Sequence, residues 1–266
     1  MPFAELGDVR LFFTDDGEGD PPILFVHGYS CDSHDWSWQI PHFLGGHRVI
    51  AADLRGHGRS SVTDGGYHPK QFAADLGALL DHVGAPPVVA VGHSLGGVIV
   101  SALAVEHPEK VQAVVSVDPG YLVPDEAADL LVGLVALAGN DPVQGFDLML
   151  LPTYGPGSPP ALTTWHRRRI AAMSSDVLGQ TLASLMQPPD GMAYISVAEP
   201  YLRRRPCPVF AIYADPGRAA IEGALFTDKR SKSVSWEGAG HWLHQERPAE
   251  FNALVDAWIA SLNEAG

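Results

Sequence analysis

Cysteine is scarce: Cys31 and Cys207 are the two in a chain of 266 residues. Far apart in sequence, they suit reduced thiols and exclude a disulfide-stapled secreted scaffold. Positive charge is scarce too, with 17 Lys and Arg against 31 Asp and Glu and a formal net charge of −14. That balance argues against nucleic acid as a partner. The basic triplets Arg167-Arg168-Arg169 and Arg203-Arg204-Arg205 are short enough to be solvated faces. No apolar run approaches the roughly 18 residues of a membrane helix, so no membrane partner is expected. Met1-Pro2-Phe3-Ala4-Glu5 has neither the basic nor the apolar region of a secretory leader, and the expectation is a cytoplasmic protein. H-E-x-x-H, paired C-x-x-C, a strand-following G-x-G-x-x-G and a P-loop are all missing, so neither metal nor cofactor is expected. Repeats and low-complexity tracts are absent as well.

What the chain does have is apolar bulk, 46% of its residues, enough for one large α/β core carrying a subdomain. Its centre is Val88-Val89-Ala90-Val91-Gly92-His93-Ser94-Leu95-Gly96-Gly97. Four apolar residues predict a buried strand, and the apolar stretch from Val98 to Val105 predicts a buried helix. Between them Gly92-His93-Ser94-Leu95-Gly96 fits G-x-S-x-G, the pattern of a serine held on a tight strand-to-helix turn. A side chain at Gly92 or Gly96 would strike the flanking strand or helix.

Around that centre, apolar runs at Ile23–Val26, Arg48–Ala52, Val111–Val117, Pro208–Ala214 and Ser231–Trp236 alternate with helical patterns at Asp35–Leu44, 69–83 and Pro248–Leu262. An N-terminal hairpin is expected within residues 1–20, with its Gly/Asp-rich turn at Asp15-Asp16-Gly17. The alternation predicts a mostly parallel, doubly wound sheet. It breaks over residues 121–200, where helical patterns at Ala127–Leu137, Leu162–Met173 and Val177–Met186 and Pro/Gly-rich loops replace strands. The expected organisation is a core in two parts, 1–120 and 201–266, with a helical cap at 121–200.

Four motifs in order, His27-Gly28, Asp53-Leu54-Arg55-Gly56-His57-Gly58-Arg59-Ser60, Gly92-His93-Ser94-Leu95-Gly96-Gly97 and Gly240-His241, resemble the α/β-hydrolase superfamily along nearly the whole chain. The resemblance implies an α/β-hydrolase fold with a lid above the active site, and a catalytic triad. Ser94 is the expected nucleophile and His241, in the loop after the last strand, the expected base. A serine at this point argues against haloalkane dehalogenases and epoxide hydrolases, which place a carboxylate there. In most families of this fold the acid follows the strand after the cap, where Asp215 lies close. In some branches it ends the strand after the elbow helix, where Asp118 stands. Chain order and local pattern place Asp118 first, with Asp215 as its rival. The oxyanion hole is expected from the backbone N–H groups of Leu95, at a helix N-terminus, and Tyr29, after His27-Gly28. The 53–60 segment is expected to be structural.

Trp36, Tyr121, Trp165 and Trp242 are candidate walls of an apolar substrate pocket, against the commoner reading of aromatics as core. The function so implied is hydrolysis of a carboxylic ester or lactone of a small, largely apolar molecule, by a monomer or homodimer. Two other readings stay open: a cofactor-free dioxygenase or carbon–carbon bond hydrolase using the same set, and a non-catalytic small-molecule binding protein on this scaffold.

Overall fold

A computed structural model of the chain describes residues 2–188 and 191–264, the last two for their backbone only. The strands are β1 (Phe3–Leu6), β2 (Val9–Asp16), β3 (Ile23–Val26), β4 (Val49–Ala52), β5 (Val88–His93), β6 (Val111–Val117), β7 (Val209–Tyr213) and β8 (Lys232–Ser235). They lie side by side in the order β1-β2-β4-β3-β5-β6-β7-β8. The β1–β2 and β2–β4 pairs are antiparallel and every other pair is parallel. Strand order reverses at β3, whose neighbours are β4 on one side and β5 on the other. Ligands of open α/β sheets bind at such a reversal, beyond the carboxyl ends of the strands. The loops starting at His27 and Ser94 leave from there.

Along a strand, side chains alternate between faces, and the sheet divides accordingly. Leu24, Val26, Ala90, Val114 and Ala211 face one core, while Ile23, Phe25, Val89, Val91, Val115 and Phe210 face the other. The first core is closed by α2 (Pro69–His82) and α3 (Leu95–Glu106), the second by α1 (Ile40–Phe43) and α11 (Pro248–Glu264). Every residue of α3 from Leu95 to Ala104 is buried, so this helix has no solvated stripe and its sequence needs no amphipathic period.

Between β6 and β7 the described residues form α4 (Ala128–Asn140), α5 (Pro142–Met149), α6 (Pro160–Ala172), α7 (Ser175–Met186) and α8 (Ile195–Leu202), with one isolated bridge between Val123 and Tyr194. After β7 come α9 (Pro216–Gly223) and, after β8, α10 (Leu243–Glu246). The N-terminal hairpin turns at Gly7-Asp8 rather than at Asp15-Asp16-Gly17, because β2 continues to Asp16 to pair with β4. The expected helix at Asp35–Leu44 is two short pieces, a 3-10 turn at Ser33–Trp36 and then α1, which opens around Pro41. Proline fits the first turn of a helix and not its interior.

Beneath β7 the Arg205 guanidinium donates to Glu222 at 2.7 Å, and both residues are buried. The Tyr121 and Tyr213 hydroxyls donate to the same carboxylate at 2.8 and 2.5 Å. Removing one member of a buried pair leaves an uncompensated charge. Arg205→Met should therefore destabilise the fold by about 3–5 kcal/mol in denaturant titration; a change under about 1 kcal/mol would contradict this account.

Four buried histidines set the acid limit. Burial holds His57 and His244 down at about 3 and His166 at about 4, and drives His93 well below its ordinary range. As pH falls below about 6.5 the unfolded chain protonates these rings while the folded chain does not, until about pH 4. Stability should fall through that window, with roughly four protons taken up on unfolding near pH 5. Unfolding free energy measured between pH 7 and 4.5 checks this, and a flat profile would contradict it.

Candidate active site

Ser94 sits at φ 52° and ψ −116°, a conformation costly for any residue with a Cβ. Its surroundings impose it. A Cβ on Gly92 would collide with the Gly96 carbonyl and come 2.8 Å from the Gly97 nitrogen. One on Gly96 would overlap the Val26 carbonyl and come 2.7 Å from that of His27. The ends of β3 and β5 and the start of α3 thus pack backbone against backbone. Ser94 is further clamped by the loop after β6: its N–H donates to Val117 O at 2.9 Å, and its carbonyl accepts from Gly120 N–H at 3.0 Å.

His241 is fixed at three points. Its Nδ1 meets Asp118 Oδ2 at 2.6 Å, its N–H donates to Thr153 O at 2.8 Å, and its carbonyl accepts from His93 Nε2 at 2.9 Å. With Nδ1 so engaged, Nε2 is the nitrogen left for Ser94. Asp118 itself is buried, and burial pushes its carboxyl up. The hydrogen bond and charge of His241 and the charge of Arg218 outweigh that and hold it below the usual range. The carboxylate is therefore ionised at neutral pH. His93, kept neutral by burial, can donate to the His241 carbonyl without placing a positive charge there.

Ser94, His241, Asp118, Tyr29 and Leu95 border one cavity of about 220 Å³. The backbone N–H groups of Tyr29 and Leu95 have no internal acceptor among the described residues. Met149, Leu150, Leu182, Leu185 and Met186, all from the segment between β6 and β7, supply much of the remaining wall and make the cavity largely apolar.

The aromatic candidates divide. Trp242 lines the cavity, stacked on Tyr154 at 4.2 Å and His166 at 4.7 Å. Trp36 does not: it is fully buried on the opposite face of the sheet, 4.8 Å from the Phe25 ring and 4.4 Å from that of His244. Tyr121 is turned into the Arg205–Glu222 cluster. Trp165 is 47% exposed on α6 and stacks on Trp38 beside a separate surface pocket. Asp215 is exposed and caps α9, its Oδ1 accepting the Arg218 N–H at 2.8 Å; it makes no contact with His241. Four residues that sequence reasoning left unassigned complete the site: Thr153 and His93 on the backbone of His241, Glu246 accepting from Gly240 N–H at 2.7 Å, and Arg218, 3.6 Å from Asp118. Of these only His93 lies in a motif, as the residue before Ser94, and Thr153 contributes only a carbonyl.

The Asp53–Ser60 segment is a buttress. Asp53 Oδ1 accepts the Ser33 N–H at 2.8 Å, and Arg55, buried, meets Asp75 at 2.6 Å. Two buried trios, Cys31–Asp35–His166 and Asp35–His93–His244, bring donor atoms within 4.8 Å of one another. Asp35, common to both, is already ion-paired with Arg169.

Comparison with known proteins places this geometry in a family. A family model described as alpha/beta hydrolase fold matches residues 21–184. The non-heme haloperoxidase of Rhodococcus erythropolis is 42% identical over 109 residues, covering 40% of this chain and 39% of the relative, so the match spans under half of that relative's length. The 3-oxoadipate enol-lactonase 2 of Acinetobacter baylyi is 27% identical over 96% of this chain and 95% of its own. The solved structure of Est816, described as an N-acyl homoserine lactone degrading enzyme, superposes with a TM-score of 0.82 at 23% identity, over 96% of this chain and 99% of that one. With its elbow serine, mostly parallel sheet and matching family model, the chain belongs to the α/β-hydrolase fold family.

Proposed function

We propose that the chain is a serine hydrolase that cleaves a carboxylic ester or lactone of a small, largely apolar molecule. The observation that carries this reading is the His241–Asp118 bond at 2.6 Å beside Ser94, on a cavity that two unpaired backbone N–H groups also border. A serine hydroxyl is a weak nucleophile near neutral pH and needs an oriented base. His241 Nε2 takes the Ser94 proton as Oγ attacks the carbonyl carbon, and Asp118 stabilises the imidazolium. The Tyr29 and Leu95 N–H groups receive the developing oxyanion, a role worth about 3–4 kcal/mol per donor in comparable sites. The imidazolium then protonates the departing alkoxide, leaving an acyl ester on Ser94. Water, deprotonated by His241, attacks that ester and releases the acid and the free serine. In a lactone both products are one molecule.

The apolar lining supports an apolar acyl group, and the full-length relation to an enol-lactonase supports a lactone or ester carbonyl. Oxygenation or carbon–carbon cleavage would draw on the same His–Asp pair; the paired N–H groups beside Ser94 favour acyl transfer.

Intact-protein mass after exposure to a small fluorophosphonate tests the nucleophile. Wild type should gain one adduct, Ser94→Ala none, and His241→Ala an adduct only orders of magnitude more slowly; an unlabelled wild type would overturn the reading. On an ester and lactone panel, Asp118→Asn should lower kcat by about 10³–10⁴-fold. Asp215→Asn, which keeps the capping oxygen at the start of α9, should cost about 0.5 kcal/mol of stability or less and leave turnover near wild type. The reverse ranking would move the acid to Asp215.

A further inference from the structure

Arg218 stands near the point where most families of this fold carry their acid, and it points back at the acid used here. We propose that Arg218 is a positioning residue, a guanidinium that fixes the turn after β6 and holds Asp118 as the charged partner of His241. The inference rests on the Ser94–His241–Asp118 reading above. Its Nη1 is 3.6 Å from Asp118 Oδ1, while Nη2 donates to the carbonyls of Pro119 and, at 2.8 Å, Tyr121. Both carbonyls flank Gly120, whose N–H donates to Ser94 O. One side chain therefore braces the acid directly and the nucleophile's backbone through a single residue. Its own place is set from two sides. The Asp215 cap holds its N–H, and the Tyr213 ring lies 5.0 Å beneath its Cζ.

The turn needs bracing. Asp118 has φ 36°, a left-handed value that costs of order 1–3 kcal/mol for a residue with a side chain. The carboxylate is also buried, where a lone charge is disfavoured. Arg218 answers both demands, since it is a fixed cation and its planar fork reaches several acceptors at once.

Other ionisable groups near the pair are otherwise engaged. His93, 4.6 Å from the His241 ring, and His244 and His166 are neutral through burial. Glu246 is bound by Gly240 N–H and the Ser158 hydroxyl, and Asp215 is at the surface. Glu222, under Tyr213, is paired with Arg205, and Arg169 with Asp32 and Asp35. Among the described residues Arg218 is the one permanent cation lining the cavity.

Removing the cation leaves the Asp118 charge less compensated, which favours protonated His241. In an NMR titration of the histidine Cε1–H signals, with His241 assigned by its loss in His241→Gln, Arg218→Gln should raise the His241 midpoint by about 0.5–1 pH unit, and Arg218→Lys by less than half as much. Arg218→Met replaces the glutamine variant should that one not fold. A midpoint unmoved in the charge-removing variant, or a lysine variant that matches it, would overturn the proposal. This readout needs no turnover. Failure of Ser94 to react with the fluorophosphonate would sink the hydrolase reading, while the titration would still decide the role of Arg218.

Discussion

The backbone of Gly92 lies against the Gly96 carbonyl, and the site depends on that contact. With no Cβ on either side, β5 can turn straight into α3, and Ser94 at the corner is forced to φ 52°. The strain lifts the hydroxyl off the sheet and places Leu95 at a helix start, where its N–H has no internal partner. The proposed nucleophile and one proposed oxyanion donor thus come from one steric event. The loop after β3 joins them because Gly96 also touches the Val26 and His27 carbonyls, bringing Tyr29 alongside.

What the elbow cannot supply is charge, and that comes from the opposite side of the cavity. His241 needs a carboxylate partner, and that partner must stay ionised while buried. The hydrogen bond and charge of His241, the charge of Arg218 and the Ala214 N–H together hold it so. The division is economical in sequence terms. Steric demands are met by short motifs of adjacent residues, whereas electrostatic demands are met by residues far apart in the chain.

That division explains what could be read from the sequence. Strands β3, β5, β6 and β7 are continuous apolar runs because both faces of each are buried, and their position is plain in composition alone. Ser94 and His241 lie in compact motifs whose glycines have a steric reason to be there. Asp118 and Asp215 look alike in sequence, each ending a strand and followed by proline and glycine; only the third dimension separates a partner of His241 from a helix cap. Trp36, Tyr121 and Trp165 misled for a related reason. Being near the motifs in sequence does not say on which face of a strand or helix a ring falls, and the three point into a core, into an ion-pair cluster and into solvent. Helices α5 and α8 carry weak signals: α5 is one short stretch broken from α4 by Asp141-Pro142, and α8 contains Pro200. Arg218 is invisible in the sequence because a surface arginine and a half-buried brace have the same one-letter code.

The backbone of the base is held by the segment that shapes the cavity. Thr153 O receives the His241 N–H, and Glu246 joins Gly240 to Ser158 and Gly155. A substitution in that segment therefore reaches the backbone of His241 directly. Lineages that diversify their substrates by changing residues 149–158 would be expected to change turnover in the same step, and to recover it through second substitutions around Glu246.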